Sequence, residues 1–240
     1  MRYVGITGFM SRAEVDACLQ ALPDGLTLMC GVLVSAKSLA GVKNKWHRRY
    51  PDPGEIAGIF SQDLRCLNLI HYSSGEPPDA GLVSRLQDVG GVCCNGFQFN
   101  GAWPTSATLA ALSGDHVVLQ VNPRRSEVMA DFTNAHRGMR NVTPHVLIDG
   151  SGGRGEPISY EVADAWAMMF RGHYGHHVHV GIAGGMCAES LPTVAPAVRS
   201  FNLSIDAEGR LRDGDEGGTL NLDKARAYLQ AAGECFKGAA

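Results

Sequence analysis

The sequence lacks the features of a membrane-spanning or exported protein. It contains no run of about 18 uncharged apolar residues, the length that a transmembrane helix needs. Residues 1–7 lack the apolar segment and cleavage site of a signal peptide. Seven cysteines occur among the 240 residues, but their spacing fits neither a disulfide framework nor paired C-x-x-C zinc ligands. We therefore expect a cytoplasmic protein with reduced thiols and no membrane partner.

The sequence also lacks an excess of positive charge. Twenty-one Lys and Arg residues stand against 24 Asp and Glu residues, which gives a formal net charge of −3. This balance provides no general attraction to nucleic acid, so we do not expect a nucleic-acid partner. One basic segment, residues 43–50, interleaves aromatic with basic side chains, as single-stranded nucleic-acid surfaces do. On an acidic chain we interpret it as a solvated loop or as a lid over an anionic substrate.

Apolar periodicity predicts eight strands that alternate with helical segments. Ser11 and Glu14 form a capping-box pair at the start of the first helix. Strict alternation over about 240 residues, with no linker, favours one (β/α)8 TIM barrel domain spanning residues 1–240. An open doubly wound sheet is the structural alternative. The predicted strands cover residues 3–7, 26–35, 64–72, 92–100, 116–122, 145–149, 177–183 and 201–206.

The carboxyl ends of barrel strands carry the chemistry in such a fold. That rule selects Thr7, Lys37, His71, Tyr72, Asn100, Asn122, Asp149 and Asp206. Asp149 is the first candidate, because an acid at the end of an apolar strand gains a raised pKa from partial burial. Its alternative role is a carboxylate that caps the amides of the following loop.

Three other strand-end residues are candidate catalytic groups. His71 is a candidate base, because imidazole titrates near neutral pH; a histidine bonded within its loop is the alternative. Lys37 is a candidate anion anchor or amine nucleophile, or else a solvated loop lysine. Asp206 is a candidate partner of Asp149 or a cation ligand, with surface exposure just past the strand as its alternative.

Glycines and histidines near the seventh strand suggest two different sites. Gly184 and Gly185 form a turn at the carboxyl end, where backbone amides can approach an anion. The histidine cluster contains an H-x-H pair that resembles zinc ligands, and its members are His173, His176, His177 and His179. This cluster precedes the strand and lacks acidic or thiol ligands nearby, so we expect no metal. No cofactor is expected either.

Several motifs in order resemble those of one enzyme family. Val4-Gly5-Ile6-Thr7 is similar to Cys-Gly-Ile-Thr, Lys37-Ser38 to a Lys-Ser pair, and Gln98-Phe99-Asn100-Gly101 to Gln-Leu-His-Gly. Asp149, the loop Gly152-Gly153-Arg154, and Ala183-Gly184-Gly185-Met186 complete the set. Together they resemble phosphoribosylanthranilate isomerase. The resemblance implies a barrel enzyme with Asp149 as general acid and with substrate or phosphate bound by Gly184, Gly185, Gly152, Gly153, Arg154, Asn100 and Thr7.

Two departures from that family bear on function. Val4 is aligned with the cysteine that the family uses as general base, and valine cannot accept a proton. The family ends its eighth strand with a phosphate-holding Ser-Ser-Gly turn, whereas this chain reads Ser204-Ile205-Asp206-Ala207-Glu208-Gly209. Two carboxylates near a phosphate repel it unless a cation intervenes. We therefore expect a reaction other than that of the parent family.

The combined expectation is acid–base isomerisation, or a related rearrangement, of a small sugar-derived and anionic substrate that is phosphorylated. Asp149 is expected to donate the proton, and His71 or Asp206 to replace the missing base. A Schiff-base lyase or aldolase using Lys37 is one alternative. A binding or scaffold barrel without catalysis is another. A homodimer is a possible assembly.

Overall fold

The computed structural model is a closed barrel of eight parallel strands in the order β1 to β8, with β8 pairing back onto β1. It describes residues 2–43, 46–151, 155–214 and 218–237. The prediction of a (β/α)8 TIM barrel is confirmed, and the open sheet is excluded. The strands are β1 (Val4–Thr7), β2 (Leu28–Ser35), β3 (Cys66–Ser74), β4 (Gly96–Gly101), β5 (His116–Val121), β6 (Thr143–Asp149), β7 (His179–Ala183) and β8 (Ser204–Ala207).

Helices connect the strands and cover the outside of the barrel. Ser11 caps the first of them, and Glu14 completes the predicted capping box. No helix among the described residues is both long and apolar enough to span a membrane. The helices are α1 (Arg12–Ala21), α2 (Ala36–Leu39), α3 (Ile56–Ile59), α4 (Ala80–Gly90), α5 (Ser106–Ala110), α6 (Val128–His136), α7 (Tyr160–Tyr174), α8 (Leu191–Phe201) and α9 (Leu222–Phe236).

Two apolar layers hold the barrel together. Because both faces of a parallel strand are buried, the strands read as nearly continuous apolar runs such as Leu28–Ser35. Alternate residues pack outward against the helices, and Val4 and Ile6 of β1 belong to this larger core. A smaller cluster includes Tyr3 of the segment before β1, Met29 and Leu147. The inner surface above it carries the polar residues of the strand ends.

Two strands begin at least three residues later than the sequence pattern predicted. The prediction of β4 from residue 92 was wrong at its start, because residues 91–93 form a 3₁₀ turn and the Val92 side chain is fully exposed. The prediction of β8 from residue 201 was also wrong at its start. Phe201 is the last residue of α8, and Asn202 ends that helix in the left-handed conformation with φ 52°. Apolar runs alone do not distinguish a helix end from a strand start.

Candidate active site

A polar cavity of about 170 Å³ opens at the carboxyl ends of the strands. We call it the mouth cavity. Both carboxylates favoured by the sequence, Asp149 and Asp206, line it, and so does the Gly184-Gly185 turn. The other lining residues are Thr7, Arg49, His71, Gln98, Asn100, Gln120, Leu147, Ser151, Gly155, Ala183, Met186, Glu208, Gly209 and Arg210. Most of the site residues predicted from the sequence therefore lie in one cavity, as expected for residues at the carboxyl ends of barrel strands.

Asp149 ends β6 as a buried carboxylate held by donors on both oxygens. Gln120 Nε2 donates to Oδ2 at 2.8 Å. The backbone N–H and the hydroxyl of Ser151 donate to Oδ1 at 2.9 Å and 2.7 Å. The contacts with Ser151 correspond to the loop-capping role that the sequence left open. Because Asp149 also lines the mouth cavity, capping and catalysis are compatible at this residue.

Asp206 lies on β8, next to Thr7 on β1. The Thr7 hydroxyl is 3.0 Å and 3.2 Å from the two carboxylate oxygens of Asp206, and 3.2 Å from Nδ1 of His71 on β3. All three side chains are buried. A β-carbon at Gly5 would lie 2.6 Å from Asp206 Oδ1, so the glycine at that position makes room for the carboxylate. Surface exposure, the alternative considered for Asp206, is excluded by its burial.

Burial gives Asp206 and His71 unusual protonation states. Desolvation, aided by the negative charges of Glu208 and Asp149, raises the pKa of Asp206 to about 8, although the Thr7 hydrogen bond opposes the shift. Desolvation lowers the pKa of His71 to about 3. Around neutral pH, Asp206 is therefore largely protonated and His71 is a neutral imidazole. A neutral imidazole with so low a pKa is a weak base.

Gln98 and Gln120 are lining residues that the sequence did not single out as site residues. Gln98 Nε2 donates to Asn100 Oδ1 at 3.1 Å and contacts Gln120 Oε1 at 3.5 Å. This row of amides connects the predicted residue Asn100 to Asp149 through Gln120. The available signal was a polar residue inside an otherwise apolar strand, since such a residue at an inward position faces the barrel interior.

The turn after β7 exposes backbone to the mouth cavity. Gly184 and Gly185 have φ values of 107° and 58°, in the region that favours glycine. Among the described residues, the amide nitrogens of this turn donate no backbone hydrogen bond. The carbonyl of Gly184 accepts a hydrogen bond from the backbone of Ile158, and that of Gly185 accepts one from the Ser190 hydroxyl. A β-carbon at Gly184 would lie 3.2 Å from Asp149 Oδ1. The turn therefore requires glycine and places Gly184 beside the catalytic candidate.

The basic segment after β2 reaches the rim of the mouth cavity. Arg49 lines the cavity and forms an ion pair with Glu208 at 2.9 Å. Its guanidinium also lies 5.2 Å from the centre of the Trp46 ring. The Glu208 charge, which the sequence suggested would repel phosphate, is therefore paired with an arginine. Residues 44 and 45 of this segment lie outside the described residues.

Other predicted site residues lie elsewhere. Lys37 is exposed on α2 and does not line the mouth cavity. Tyr72 is buried in the core between barrel and helices, and Asn122 is not among the lining residues. Gly152, Gly153 and Arg154 lie outside the described residues.

The structure also locates the residue aligned with the family's cysteine. Val4 is the first residue of β1 and packs into the core between barrel and helices. Thr7 is the last residue of that strand, and its side chain reaches the mouth cavity. The position on β1 that can carry a catalytic group is therefore Thr7.

A group of three histidines, which shares only His179 with the cluster named from the sequence, lies at the opposite, amino-terminal ends of the strands. His116 Nδ1 is 3.0 Å from Nε2 of buried His145, and the His145 and His179 rings are 4.8 Å apart. Burial lowers the pKa of all three, to about 4 for His179. His173, His176 and His177 are exposed. Among the described residues, no group of three or more His, Cys, Asp or Glu side chains is arranged to hold a metal ion.

Comparisons with known proteins identify the fold. The chain matches no protein-family model and no curated protein. A crystal structure of phosphoribosyl anthranilate isomerase from Thermus thermophilus superposes with a TM-score of 0.68 at 18% identity, over 98% of this chain and 99% of that chain. The spore coat polysaccharide biosynthesis protein spsE from Bacillus subtilis superposes with a TM-score of 0.59 at 12% identity, over 98% and 68%. The resemblance to a phosphoribosylanthranilate isomerase-like barrel is confirmed for the fold.

Proposed function

We propose that this protein is an enzyme that catalyses acid–base isomerisation, or a related rearrangement, of a small anionic sugar derivative. The observation that carries the proposal is that two carboxyl groups open into one cavity: Asp206, whose pKa is raised by burial, and Asp149, which accepts hydrogen bonds on both oxygens. Such pairs of titratable groups identify acid and base in many enzymes. The structural similarity to the solved isomerase, at 18% identity, supports the fold alone. The functional argument therefore rests on the residues of the mouth cavity.

The roles follow from the surroundings of each carboxylate. Asp206 has a pKa raised to about 8 by burial, so it holds a proton to donate at neutral pH. Asp149 accepts hydrogen bonds from Gln120 and Ser151 on both of its oxygens, so it is oriented as an acceptor at the mouth cavity. We therefore assign Asp206 as general acid and Asp149 as general base. This reverses the order that the family resemblance implied for Asp149.

The proposed reaction needs only these two proton-transferring groups. Asp149 removes a proton from the carbon beside a carbonyl or imine, and the C–H electron pair forms a carbon–carbon double bond. The π electrons of the carbonyl or imine move to its heteroatom, which takes the proton of Asp206. Asp149 then returns its proton to the former carbonyl or imine carbon, while ionised Asp206 takes back a proton from the neighbouring hydroxyl or amino group, which becomes the new carbonyl or imine. Both carboxyl groups are restored, with no net change in oxidation state and no co-reactant.

The anionic end of the substrate is assigned to the rim of the mouth cavity. The amides of Gly184 and Gly185 supply donors there, and the guanidinium of Arg49 supplies positive charge. Since Glu208 is paired with Arg49, its charge is partly neutralised at this point. Asp206 is also uncharged when protonated, which removes the second repulsive carboxylate. These two features support binding of a phosphate or carboxylate group.

The Schiff-base alternative requires a lysine in the mouth cavity. Lys37 is exposed on α2, and no lysine is found among the described lining residues. Nothing in the geometry favours that alternative. The scaffold alternative predicted no ordered polar pocket at the strand ends, whereas Gln98, Gln120 and Ser151 form a hydrogen-bonded polar lining.

The test is solvent-proton exchange in deuterated water. Pentose 5-phosphates and amino-sugar phosphates, or hits from a metabolite-extract binding screen, would be incubated with the protein and followed by NMR. We expect deuterium to enter the carbon next to the carbonyl or imine, and the Asp149→Asn variant to lose this exchange. The proposal would be contradicted if borohydride trapped a substrate adduct on a lysine and the Asp149→Asn variant kept full activity.

A further inference from the structure

The Thr7 hydroxyl, which has a single proton, lies between two buried groups. It lies 3.0 Å from Asp206 Oδ1 and 3.2 Å from His71 Nδ1, and both distances are within hydrogen-bond range. A hydroxyl can donate only one hydrogen bond, so one of its two partners must donate to it. The direction of both bonds is therefore set by which neighbour carries a proton.

The neutral ring of His71 has one N–H group to place on either of two nitrogens. Nδ1 faces Thr7, whereas Nε2 is buried and has no hydrogen-bond partner among the described residues. His71 is one of the residues that line the mouth cavity. The tautomer of His71 therefore decides whether Nε2 is a donor or an acceptor, and the contact at Nδ1 decides the tautomer.

Two states satisfy all the contacts of Thr7. When Asp206 is ionised, Thr7 donates to it, His71 Nδ1–H donates to Thr7, and Nε2 carries a lone pair. When Asp206 is protonated, its O–H donates to Thr7, Thr7 donates to Nδ1, and Nε2 carries the proton. We propose that Asp206, Thr7 and His71 form a proton relay in which the charge of Asp206 sets the tautomer of His71. The inference rests on the proposed function of Asp206 as an acid.

The relay conserves protons in a single concerted step. When Nε2 gives up its proton, Nδ1 takes the proton of Thr7, and Thr7 takes the proton of Asp206. The products are ionised Asp206, an intact Thr7 hydroxyl that now donates to it, and His71 with its proton on Nδ1. The loss of a proton at Nε2 therefore ionises Asp206, and His71 does not become a cation.

The groups around the relay favour this behaviour. His71 is faced by Gly31 on β2 and by Gln98 on β4, neither of which is titratable. Desolvation is the cause of its lowered pKa, so the ring stays neutral. Arg212 donates to the backbone carbonyl of Thr7 and leaves its hydroxyl to the relay. The titratable groups that act on Asp206 or respond to it are Asp149 on β6, Glu208 after β8, Tyr3 before β1 and Tyr228 on α9.

Nitrogen NMR of His71 tests the relay without a substrate. The two ring nitrogens would be assigned by comparison with His71→Asn and followed from pH 6 to pH 10. We expect the wild-type protein to change from the Nε2–H to the Nδ1–H tautomer as Asp206 loses its proton. Thr7→Val removes the hydroxyl at nearly constant volume and should keep one tautomer throughout, whereas Thr7→Ser should restore the change.

The outcome is independent of activity. A wild-type His71 tautomer that stays constant while the carboxyl carbon of Asp206 titrates would overturn the relay, even if Asp206→Asn abolished turnover. A tautomer change that persists in a folded Thr7→Val protein would overturn it as well. A tautomer change that follows Asp206 in a protein without any isomerase activity would leave the relay standing and reject the proposed function.

Discussion

The side-chain amide of Gln120 on β5 lies 2.8 Å from the carboxylate of Asp149 on β6. Together with Ser151, it fixes the orientation of both carboxylate oxygens at the mouth cavity. A carboxylate held in this way is preorganised, because its position does not depend on the substrate.

Replacement of Asp149 by Asn should abolish turnover while leaving the fold intact. Asn keeps the size of the side chain and bonds well to loop amides, but it cannot accept the proton, so we expect a loss of roughly 10²–10⁴-fold in kcat. Asp88→Asn, at an exposed position of α4, is the matched control and should keep the wild-type rate. Wild-type turnover by a folded Asp149→Asn protein would leave Asp149 with a capping role only.

Replacement of Asp206 by Asn should change how stability depends on pH. The pKa of Asp206 rises from 3.8 to about 8 on folding, so the folded state binds more protons between these values. Stability of the wild type therefore falls as pH rises through this window, by up to about 1.4 kcal/mol per pH unit. Asp206→Asn lacks this contribution and should gain stability relative to the wild type from pH 5 to pH 8.

The comparison with the variant separates Asp206 from the buried histidines. His71 and His145 have depressed pKa values, so their contribution is lost as pH falls below 6.5. Both proteins share that loss, so it cancels in the difference. Urea denaturation at each pH provides the free energies of unfolding. If the difference in free energy of unfolding between variant and wild type stayed constant from pH 5 to pH 8, the result would count against the raised pKa of Asp206.

Gly184→Ala should weaken anion binding, whereas Gly172→Ala should not. A β-carbon at Gly184 would lie 3.1 Å from Glu156 O, and its φ of 107° strains any other residue. We expect affinity for inorganic phosphate to fall roughly tenfold, about 1.4 kcal/mol, as measured by calorimetry. Gly172 lies in α7 with open space around it, so alanine should stabilise the helix by about 0.5–1 kcal/mol. Equal phosphate affinities in the two variants would show that the Gly184-Gly185 turn does not contribute to anion binding.

The activity of phosphoribosylanthranilate isomerase provides a fourth prediction. We expect the native protein to leave phosphoribosylanthranilate fluorescence unchanged, because no cysteine lies in the mouth cavity among the described residues. Thr7→Cys places a thiol there, beside Asp206, and is the variant that should recover a trace of activity. Val4→Cys places the thiol in the outer core and should recover none. Efficient turnover by the native protein would mean that another residue serves as base.

The sequence predicted the barrel because eight alternations of apolar strand and helix leave little choice of topology. It also predicted the positions of Asp149 and Asp206, since strand ends in a parallel barrel meet at one rim. It did not predict Gln120 as a partner of Asp149, because a shift of one residue in strand register turns a side chain to the opposite face. The contacts of Thr7 with His71 and Asp206 span 64 and 199 residues of chain, a separation that no local pattern encodes.

Arg49 was outside the reach of sequence patterns for a different reason. It ends the short 3₁₀ helix His47–Arg49, and three residues are too few to give a periodic apolar pattern. The composition of that segment suggested a lid or a solvated loop. Its ion pair with Glu208 of the segment after β8 is a product of barrel closure.

The proposed function depends most on the protonation state of Asp206, which shares the mouth cavity with Asp149. Carbon NMR of the side-chain carboxyl of Asp206, assigned by its absence in Asp206→Asn, measures this directly. We predict a titration midpoint near the pKa of about 8 that burial gives this group, and a lower midpoint in Asp149→Asn, where one repelling negative charge is gone. A midpoint close to 3.8, or one that does not change in Asp149→Asn, would contradict the assignment of Asp206 as a protonated acid beside Asp149.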